Sequence, residues 1–117
     1  MLHYPMCMTN LTDLSLSAMR AGLSNKDFSA MELTEAHLSA IEAANPQLNA
    51  FVEVTREQAV EQAAAADAKL DKGEGGLLEG IPVGVKDLFC TKGVRARSCS
   101  HILDGFVPQY DSTVTQK

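Results

Sequence analysis

Residues 78–89 read LEGIPVGVKDLF, and this stretch decides the predicted fold. Residues 81–85 are apolar at both odd and even positions, which is typical of a strand that is covered on both faces. Gly80 and Gly84 lack side chains, so they would let other segments of backbone come close. Lys86 follows the apolar run directly and precedes Asp87. The stretch therefore predicts a buried strand that ends in a lysine.

Lys86 is the one anomalous residue of this strand, and it has two interpretations. Burying an ammonium group is costly unless the group is paired with an anion or loses its proton. In the first interpretation Lys86 lies at the end of the strand and forms an ion pair with Asp87 or another carboxylate. In the second, burial favours the neutral amine, which can act as a base. Taken alone, the residues favour the first interpretation.

A helix is predicted upstream, where Ser29 and Glu32 have the spacing of a capping box. It is expected to run to about Ala44 and to stop at Asn45-Pro46, because the residue before a proline avoids helical geometry. Its predicted buried face is an arc of apolar residues, in which His37 is expected to be a core or boundary residue rather than a ligand. The arc consists of Leu33, Ala36, Ala40, Ile41, Ala43 and Ala44.

The remaining pattern alternates helices and strands. Helices are predicted for residues 11–21, ended by Gly22, and for residues 56–70, with a strand at residues 50–54 between the two later helices. The glycines of residues 71–79 indicate a loop, residues 90–117 are loop-like, and residues 1–10 are expected to be disordered. Alternating elements of this kind predict an α/β fold with helices packed against a sheet.

Composition narrows the class of protein. A chain of 117 residues is long enough for one small domain, and a net charge of −5 argues against a dedicated nucleic-acid module. The cluster of Lys92, Arg95 and Arg97 is expected to be a solvated loop. The three cysteines, Cys7, Cys90 and Cys99, form no C-x-x-C pair, which favours reduced thiols in a cytoplasmic protein. No apolar run is long enough to cross a membrane.

The stretch of residues 78–89 resembles the lysine-bearing opening motif of the amidase-signature family. Residues 29–54 resemble the first helix and strand of that family, and residues 90–95 and 100–117 are similar to its branch in tRNA-dependent amidotransferases. The resemblance covers residues 9–117. It implies the N-terminal portion of the amidase-signature fold, an α/β fold with helices packed on a mixed β-sheet that is incomplete in this chain. Residues 11–117 would be the first, truncated part of one longer domain.

The resemblance also implies a catalytic mechanism. In the family a neutral lysine acts as base, a serine in a cis peptide relays the proton, and a second serine attacks the amide carbon. Only the lysine corresponds to a residue here, Lys86. Ser98, Ser100 and Ser112 lie outside any Gly-rich serine motif and receive no nucleophilic role, and residues 96–100 (ARSCS) depart from the family pattern. The chain alone is therefore expected to be inactive.

The partners follow from the same resemblance. Glutamine would supply ammonia to a B subunit, which uses ATP and Mg²⁺ to amidate glutamate or aspartate misacylated on tRNA, and a small C subunit would brace the other two. This chain itself is expected to bind no cofactor and no metal. Two alternatives stay open. One is another amidase-signature amide hydrolase, and the other is a non-catalytic helical module that docks through the Ala-rich face of residues 59–70.

Overall fold

The computed structural model of the chain describes residues 10–117. This part contains four α-helices: α1 is Leu16–Asn25, α2 is Ala30–Leu48, α3 is Arg56–Asp71 and α4 is Thr113–Gln116. A 3-10 turn, Leu11–Asp13, precedes α1. Apart from Asn10, the residues predicted to be disordered lie outside the described part of the chain.

The described residues form two compact units. The first unit combines the residues up to Leu48 with Arg56–Pro82, so it contains α1, α2 and α3. The second unit combines Asn49–Thr55 with Val83–Lys117, and it consists of α4 and irregular chain.

Helix α1 begins and ends later than the helix predicted for residues 11–21. Ser15 begins it, because the Ser15 hydroxyl accepts a hydrogen bond from the backbone N–H of Ala18 at 3.2 Å. Gly22 does not end it, since Gly22 is needed for packing: a Cβ there would collide with the ring of Phe28. The helix ends where Lys26 adopts a left-handed conformation with φ of 60°.

The capping box predicted at the start of α2 is confirmed. The Ser29 hydroxyl accepts from the N–H of Glu32 at 3.0 Å, and the Glu32 carboxylate accepts from the N–H of Ser29 at 2.8 Å. The N–H groups of Ala30 and Met31 donate to the carboxylate of Asp67 in α3, at 2.7 and 3.1 Å. All four N–H groups that lack a partner within a helix are thereby satisfied. Asp67 also ties α3 to α2.

Small side chains form the core of the first unit. Its buried members are Leu23, Ala30, Leu33, Ala63 and Ala66. Two of them, Ala63 and Ala66, come from the Ala-rich face of α3, which the first unit therefore already covers. This contradicts the alternative in which that face is a free docking surface.

The apolar arc predicted for α2 is correct only in the first half of the helix. Leu33 is buried, whereas Ala40, Ala43 and Ala44 are exposed. The core meets α2 at Ala30 and Leu33, so later positions of the arc lie outside it.

His37 is half-buried, in agreement with the prediction of a boundary position. Its Nδ1 lies 2.8 Å from the carbonyl oxygen of Leu33, one helical turn earlier in α2. This contact satisfies a polar atom that the apolar surroundings would otherwise leave unpaired.

The prediction that α2 stops before the proline is wrong. The helix continues to Leu48 and includes Pro46. So close to the end of a helix, a proline forfeits one backbone hydrogen bond without interrupting a long run of helix. The left-handed conformation of Asn49, with φ of 49°, follows the last helical residue. Backbone geometry after the proline, rather than the proline itself, ends the helix.

Arg56 joins the start of α3 to α2. Its guanidinium donates to the carboxylates of Glu35 at 2.8 Å and Glu42 at 2.7 Å. Hydrogen bonds from Glu35 and Glu42 raise the pKa of Arg56. Because ion pairs at the surface contribute little to stability, this arrangement mainly fixes the relative orientation of the two helices.

Gly80 brings the chain directly over the core of the first unit. Its φ is +80°, and a Cβ there would lie 2.9 Å from the Cβ of Ala30, so only glycine fits. The predicted close approach at Gly80 is therefore confirmed. At Gly84 the nearest atom to such a Cβ, from Phe51, would be at an ordinary 3.9 Å.

Neither predicted strand forms within residues 10–117. Residues 50–54 and 81–86 are irregular chain, and a turn follows at Asp87. A strand requires a neighbour that exchanges backbone hydrogen bonds with it, and no segment described by the structure pairs with either stretch in this way. The helices of the predicted α/β fold are therefore present, whereas residues 10–117 form no mixed sheet.

We expect Asp67→Ala to lower the free energy of unfolding of the chain by about 1–2 kcal/mol, because two N–H groups at the start of α2 lose their acceptor. Urea denaturation followed by circular dichroism at 222 nm measures this. The matched control is Asp71→Ala, which removes a carboxylate of α3 whose side chain is 70% exposed and pairs with Lys26 at the surface. Equal effects of the two substitutions would contradict the assignment.

Candidate active site

The predicted base, Lys86, lies in the second unit at the point where the irregular chain enters a turn. The carbonyl oxygen of Lys86 accepts from the backbone N–H groups of Leu88 at 2.7 Å and Phe89 at 3.0 Å. The Lys86 side chain is exposed. The predicted burial of Lys86 at the end of a strand is thus wrong for this chain, because no second strand is present among the described residues to cover it.

Lys86 does not form the ion pair with Asp87 that the residues alone favoured. Among residues 10–117, none of the ion pairs involves Lys86. The Oδ1 of Asp87 instead accepts from the backbone N–H of Arg97 at 2.9 Å. The carbonyl oxygen of Asp87 accepts from the N–H of Ser98 at 3.0 Å. Asp87 therefore connects the lysine segment to a second loop and does not neutralise the amine.

That second loop is a tight turn over residues 97–100. The N–H of Ser100 donates to the carbonyl oxygen of Arg97 at 2.8 Å, and the two central residues, Ser98 and Cys99, have φ of 47° and 55°. Positive φ at both central positions defines a type I′ turn, which normally contains asparagine and glycine. Serine and cysteine here hold a conformation that costs free energy, so the surrounding hydrogen bonds must maintain it.

Charged groups surround this turn. The Arg97 guanidinium lies 3.8 Å from a carboxylate oxygen of Glu53 and 4.0 Å from one of Asp104, which is longer than a hydrogen bond. The Nε of Arg97 and the Oδ2 of Asp87 are buried without a hydrogen-bond partner in the described chain. Of the basic cluster expected in a solvated loop, Lys92 and Arg95 are exposed, whereas Arg97 is half-buried.

Backbone hydrogen bonds hold the rest of the second unit together by joining residues 90–96 to residues 106–112. Gly93 donates to Pro108 at 3.0 Å, Ala96 donates to Phe106 at 3.0 Å, and Ser112 donates to Cys90 at 2.8 Å. The Asp111 carboxylate accepts from the N–H of Lys92 at 2.7 Å. These contacts give the unit a defined conformation without a strand.

The three serines of this unit have local structural roles or are solvent-exposed. Ser112 is the N-cap of α4, with its hydroxyl 3.3 Å from the N–H of Thr115. The Ser100 hydroxyl accepts from the N–H of Ile102 at 3.2 Å, and Ser98 is exposed. That none of the three is a nucleophile stays a prediction.

A side-chain hydrogen bond joins Cys90 to Tyr110. The Cys90 Sγ lies 3.6 Å from the Tyr110 hydroxyl. The hydrogen bond with Cys90, followed by the charge of its thiolate, raises the pKa of Tyr110. The physical reason is that a thiol ordinarily ionises before a phenol, so the phenolate would form next to an existing negative charge. Cys90 and Cys99 are both free thiols.

Within the described residues, no group of three or more His, Cys, Asp or Glu side chains is arranged to hold a metal ion. None of the helices in this part of the chain is both long and apolar enough to span a membrane.

The sequence profile of the Amidase family matches residues 32–117. The chain belongs to the amidase family. Among its relatives are the A subunits of glutamyl-tRNA(Gln) amidotransferase from Mesorhizobium japonicum, Bartonella quintana and Rhizobium meliloti. They are 59%, 56% and 57% identical over 92%, 92% and 93% of this chain. The chain spans 21% or 22% of the length of these relatives.

A solved amidase-fold structure is similar as well. It is a chain of an inhibitor-bound vestigial protein complex that bears on the evolutionary origins of an s-triazine catabolic enzyme. The TM-score is 0.81 at 28% identity, and the match covers 88% of this chain and 23% of that chain. The two units of this amidase-family chain therefore have the fold of part of a much longer protein.

Sequence reasoning identified Lys86 but missed the contact between Asp87 and the turn at residues 97–100. Asp87 was considered only as an ionic partner of the lysine. Residues 96–100 depart from the family pattern, but that departure did not predict a turn, because a serine and a cysteine give no turn signal.

We expect Cys90→Ala to lower the pKa of Tyr110 toward the ordinary value of a phenol, because both the hydrogen bond and the thiolate charge are removed. Absorbance at 295 nm during an alkaline titration reports the phenolate. Cys99→Ala, which removes the other free thiol of the unit, is the control and leaves the Tyr110 titration unchanged. An unaltered titration in Cys90→Ala would contradict the pairing.

Proposed function

We propose that this chain carries the base of a glutamine-hydrolysing amidase, Lys86, and that the complete protein is the A subunit of a tRNA-dependent amidotransferase. The position of Lys86 supports the proposal, because it occupies the lysine of the family's opening motif within the matched residues. The relatives support it too, since those at 56–59% identity carry the name of the A subunit of glutamyl-tRNA(Gln) amidotransferase.

The free state of the Lys86 amine is the observation that carries this proposal. A lysine acts as a base only when it is neutral, and a neighbouring carboxylate would favour the protonated form. In this chain the nearest carboxylate in sequence, that of Asp87, is turned toward the N–H of Arg97 instead. Within residues 10–117 the Lys86 amine therefore has no ion-pair partner.

We further propose that residues 50–54 and 83–86 become strands when the longer domain is complete. The apolar side chains of both segments support this, because they are exposed in this chain. Phe51, Val52, Val83 and Val85 are 40%, 48%, 70% and 50% exposed, respectively. Large apolar side chains in consecutive, strand-like positions are normally covered by a neighbouring layer of the fold. Such a layer would also remove Lys86 from water and favour its neutral form.

In the proposed reaction, the Lys86 amine accepts a proton from a hydroxyl group that lies elsewhere in the complete protein. A serine of that protein then attacks the side-chain amide of glutamine, and ammonia leaves as the acyl-enzyme forms. The ammonia passes to a partner B subunit, which uses ATP and Mg²⁺ to amidate glutamate or aspartate carried by tRNA. A C subunit completes the heterotrimer. Within this scheme the present chain contributes the base and no cofactor ligand.

A second candidate is an amidase-family hydrolase that acts on a free amide without a tRNA partner. The observation behind this candidate is the similarity to a solved complex whose description concerns an s-triazine catabolic enzyme rather than tRNA. The two candidate functions are distinguished by comparing ammonia release from glutamine with ammonia release from small unrelated amides. The amidotransferase protein is expected to prefer glutamine and to co-purify with its partner subunits.

The direct test uses the full-length Mesorhizobium japonicum relative with its 108 matched residues replaced by those of this chain, assembled with its partner subunits. We expect Lys86→Ala in this chimeric protein to lower glutamine hydrolysis at least about 100-fold, because the reaction loses its general base. Ammonia release from glutamine is the measurement.

The matched control is Lys92→Ala, which removes another exposed lysine of the same unit. This control is expected to stay within about twofold of the parent activity. Full activity of the Lys86→Ala protein would show that the base has been assigned to the wrong residue.

A further inference from the structure

We propose that Asp87 is a positioning residue that holds the Lys86 backbone in place for proton transfer, an inference that rests on the proposed function. Two hydrogen bonds carry it. The Asp87 Oδ1 accepts from the N–H of Arg97 at 2.9 Å, and the Asp87 carbonyl oxygen accepts from the N–H of Ser98 at 3.0 Å. One residue thus receives two consecutive N–H groups of the turn at residues 97–100.

The contacts on the other side of Lys86 complete this arrangement. The carbonyl oxygen of Lys86 accepts from the N–H groups of Leu88 and Phe89, which folds residues 86–89 into a turn. The peptide that joins Lys86 to Asp87 is therefore fixed through its oxygen, while the next residue is fixed through both its side chain and its carbonyl group. The base is thereby attached to a defined point of the second unit rather than to a free loop.

Asp87 also stabilises the strained turn at residues 97–100. Ser98 and Cys99 both have positive φ, and such residues keep this conformation only when neighbouring contacts determine it. The two bonds to Asp87 hold the N–H groups that begin the turn. Loss of the carboxylate would remove the bond to the N–H of Arg97 and leave the turn and the lysine segment joined only through the Asp87 carbonyl group.

Asp87 also avoids the interaction that would disable the base. A carboxylate beside the amine would keep Lys86 protonated, whereas none of the ion pairs within the described residues joins Asp87 to Lys86. The Oδ1 of Asp87 is occupied by a backbone N–H, and its Oδ2 is buried. Positioning of Lys86 and freedom of its amine are thus achieved by the same side chain.

The experiment uses the same assembled chimeric protein and compares Asp87→Ala with Asp87→Asn. We expect Asp87→Ala to lower kcat for glutamine about 10- to 100-fold with little change in KM, because a displacement near 1 Å of a reacting group costs that much. Asp87→Asn is expected to recover most of the lost kcat, since its amide oxygen still accepts from the N–H of Arg97. Asp104→Asn, which removes a charge beside the same arginine, is the control and keeps the parent kcat.

If Asp87 acted only through its negative charge, Asp87→Asn would not recover kcat. If Asp87 acted only on stability, kcat of the folded Asp87→Ala protein would not fall. Equal loss of kcat in Asp87→Asn and Asp87→Ala, at equal melting temperatures, would overturn the proposal. So would a parent kcat in Asp87→Ala. If Asp87→Ala fails to fold, the asparagine variant alone decides, because the proposal requires it to remain active.

Lys86→Ala separates this inference from the proposed function. Loss of activity in Lys86→Ala together with a parent kcat in Asp87→Ala would overturn the positioning role and leave the base in place. Retained activity in Lys86→Ala would overturn the proposed function and the positioning role with it.

Discussion

Backbone hydrogen bonding is the constraint on which the structure of this chain depends. A helix satisfies its own N–H and C=O groups within one segment, whereas a strand requires a neighbour. Among the described residues the first unit is built mainly from the helices α1, α2 and α3, and the free N–H groups at the start of α2 are satisfied by Ser29, Glu32 and Asp67. The second unit contains the strand-like sequences, which form no strand within the described residues, and turns and side-chain acceptors hold it instead.

The state of the lysine follows from the same constraint. Without a paired and covered strand, the segment that ends at Lys86 stays at the surface, and Val83 and Val85 are exposed beside it. The Asp87 carboxylate is directed to the N–H of Arg97, and the amine has no ion-pair partner among the residues described. Within residues 10–117 no further layer of the fold covers the lysine segment.

The sequence predicted the elements that are determined locally. The capping box at Ser29 and Glu32 and the extent of α3 were predictable because their patterns involve residues a few positions apart. The wrong predictions concern features that depend on contacts beyond the local sequence pattern. Gly22 was predicted to end α1, but it lies inside the helix, where the absence of a side chain makes room for Phe28. Pro46 was predicted to end α2, but the helix continues past it. The strands failed because period and composition specify a strand only when a partner is available.

At the candidate site, too, local features were predictable and contacts between distant residues were not. Lys86 was found from its position in a family motif, whereas the contact of Asp87 with the turn at residues 97–100 joins positions ten apart and has no signature in the sequence. The left-handed conformations of Ser98 and Cys99 were equally unpredictable, because neither residue type favours them.

Hydrogen exchange at the amides of Val83 and Val85 tests the central claim most directly. It is measured once in the 117-residue chain and once in the chimeric full-length protein. If the lysine segment becomes a covered strand only in the complete domain, these amides exchange rapidly in the chain and are strongly protected in the full-length protein. Equally rapid exchange in both proteins would contradict the account, because the segment that ends at Lys86 would then remain uncovered in the complete protein.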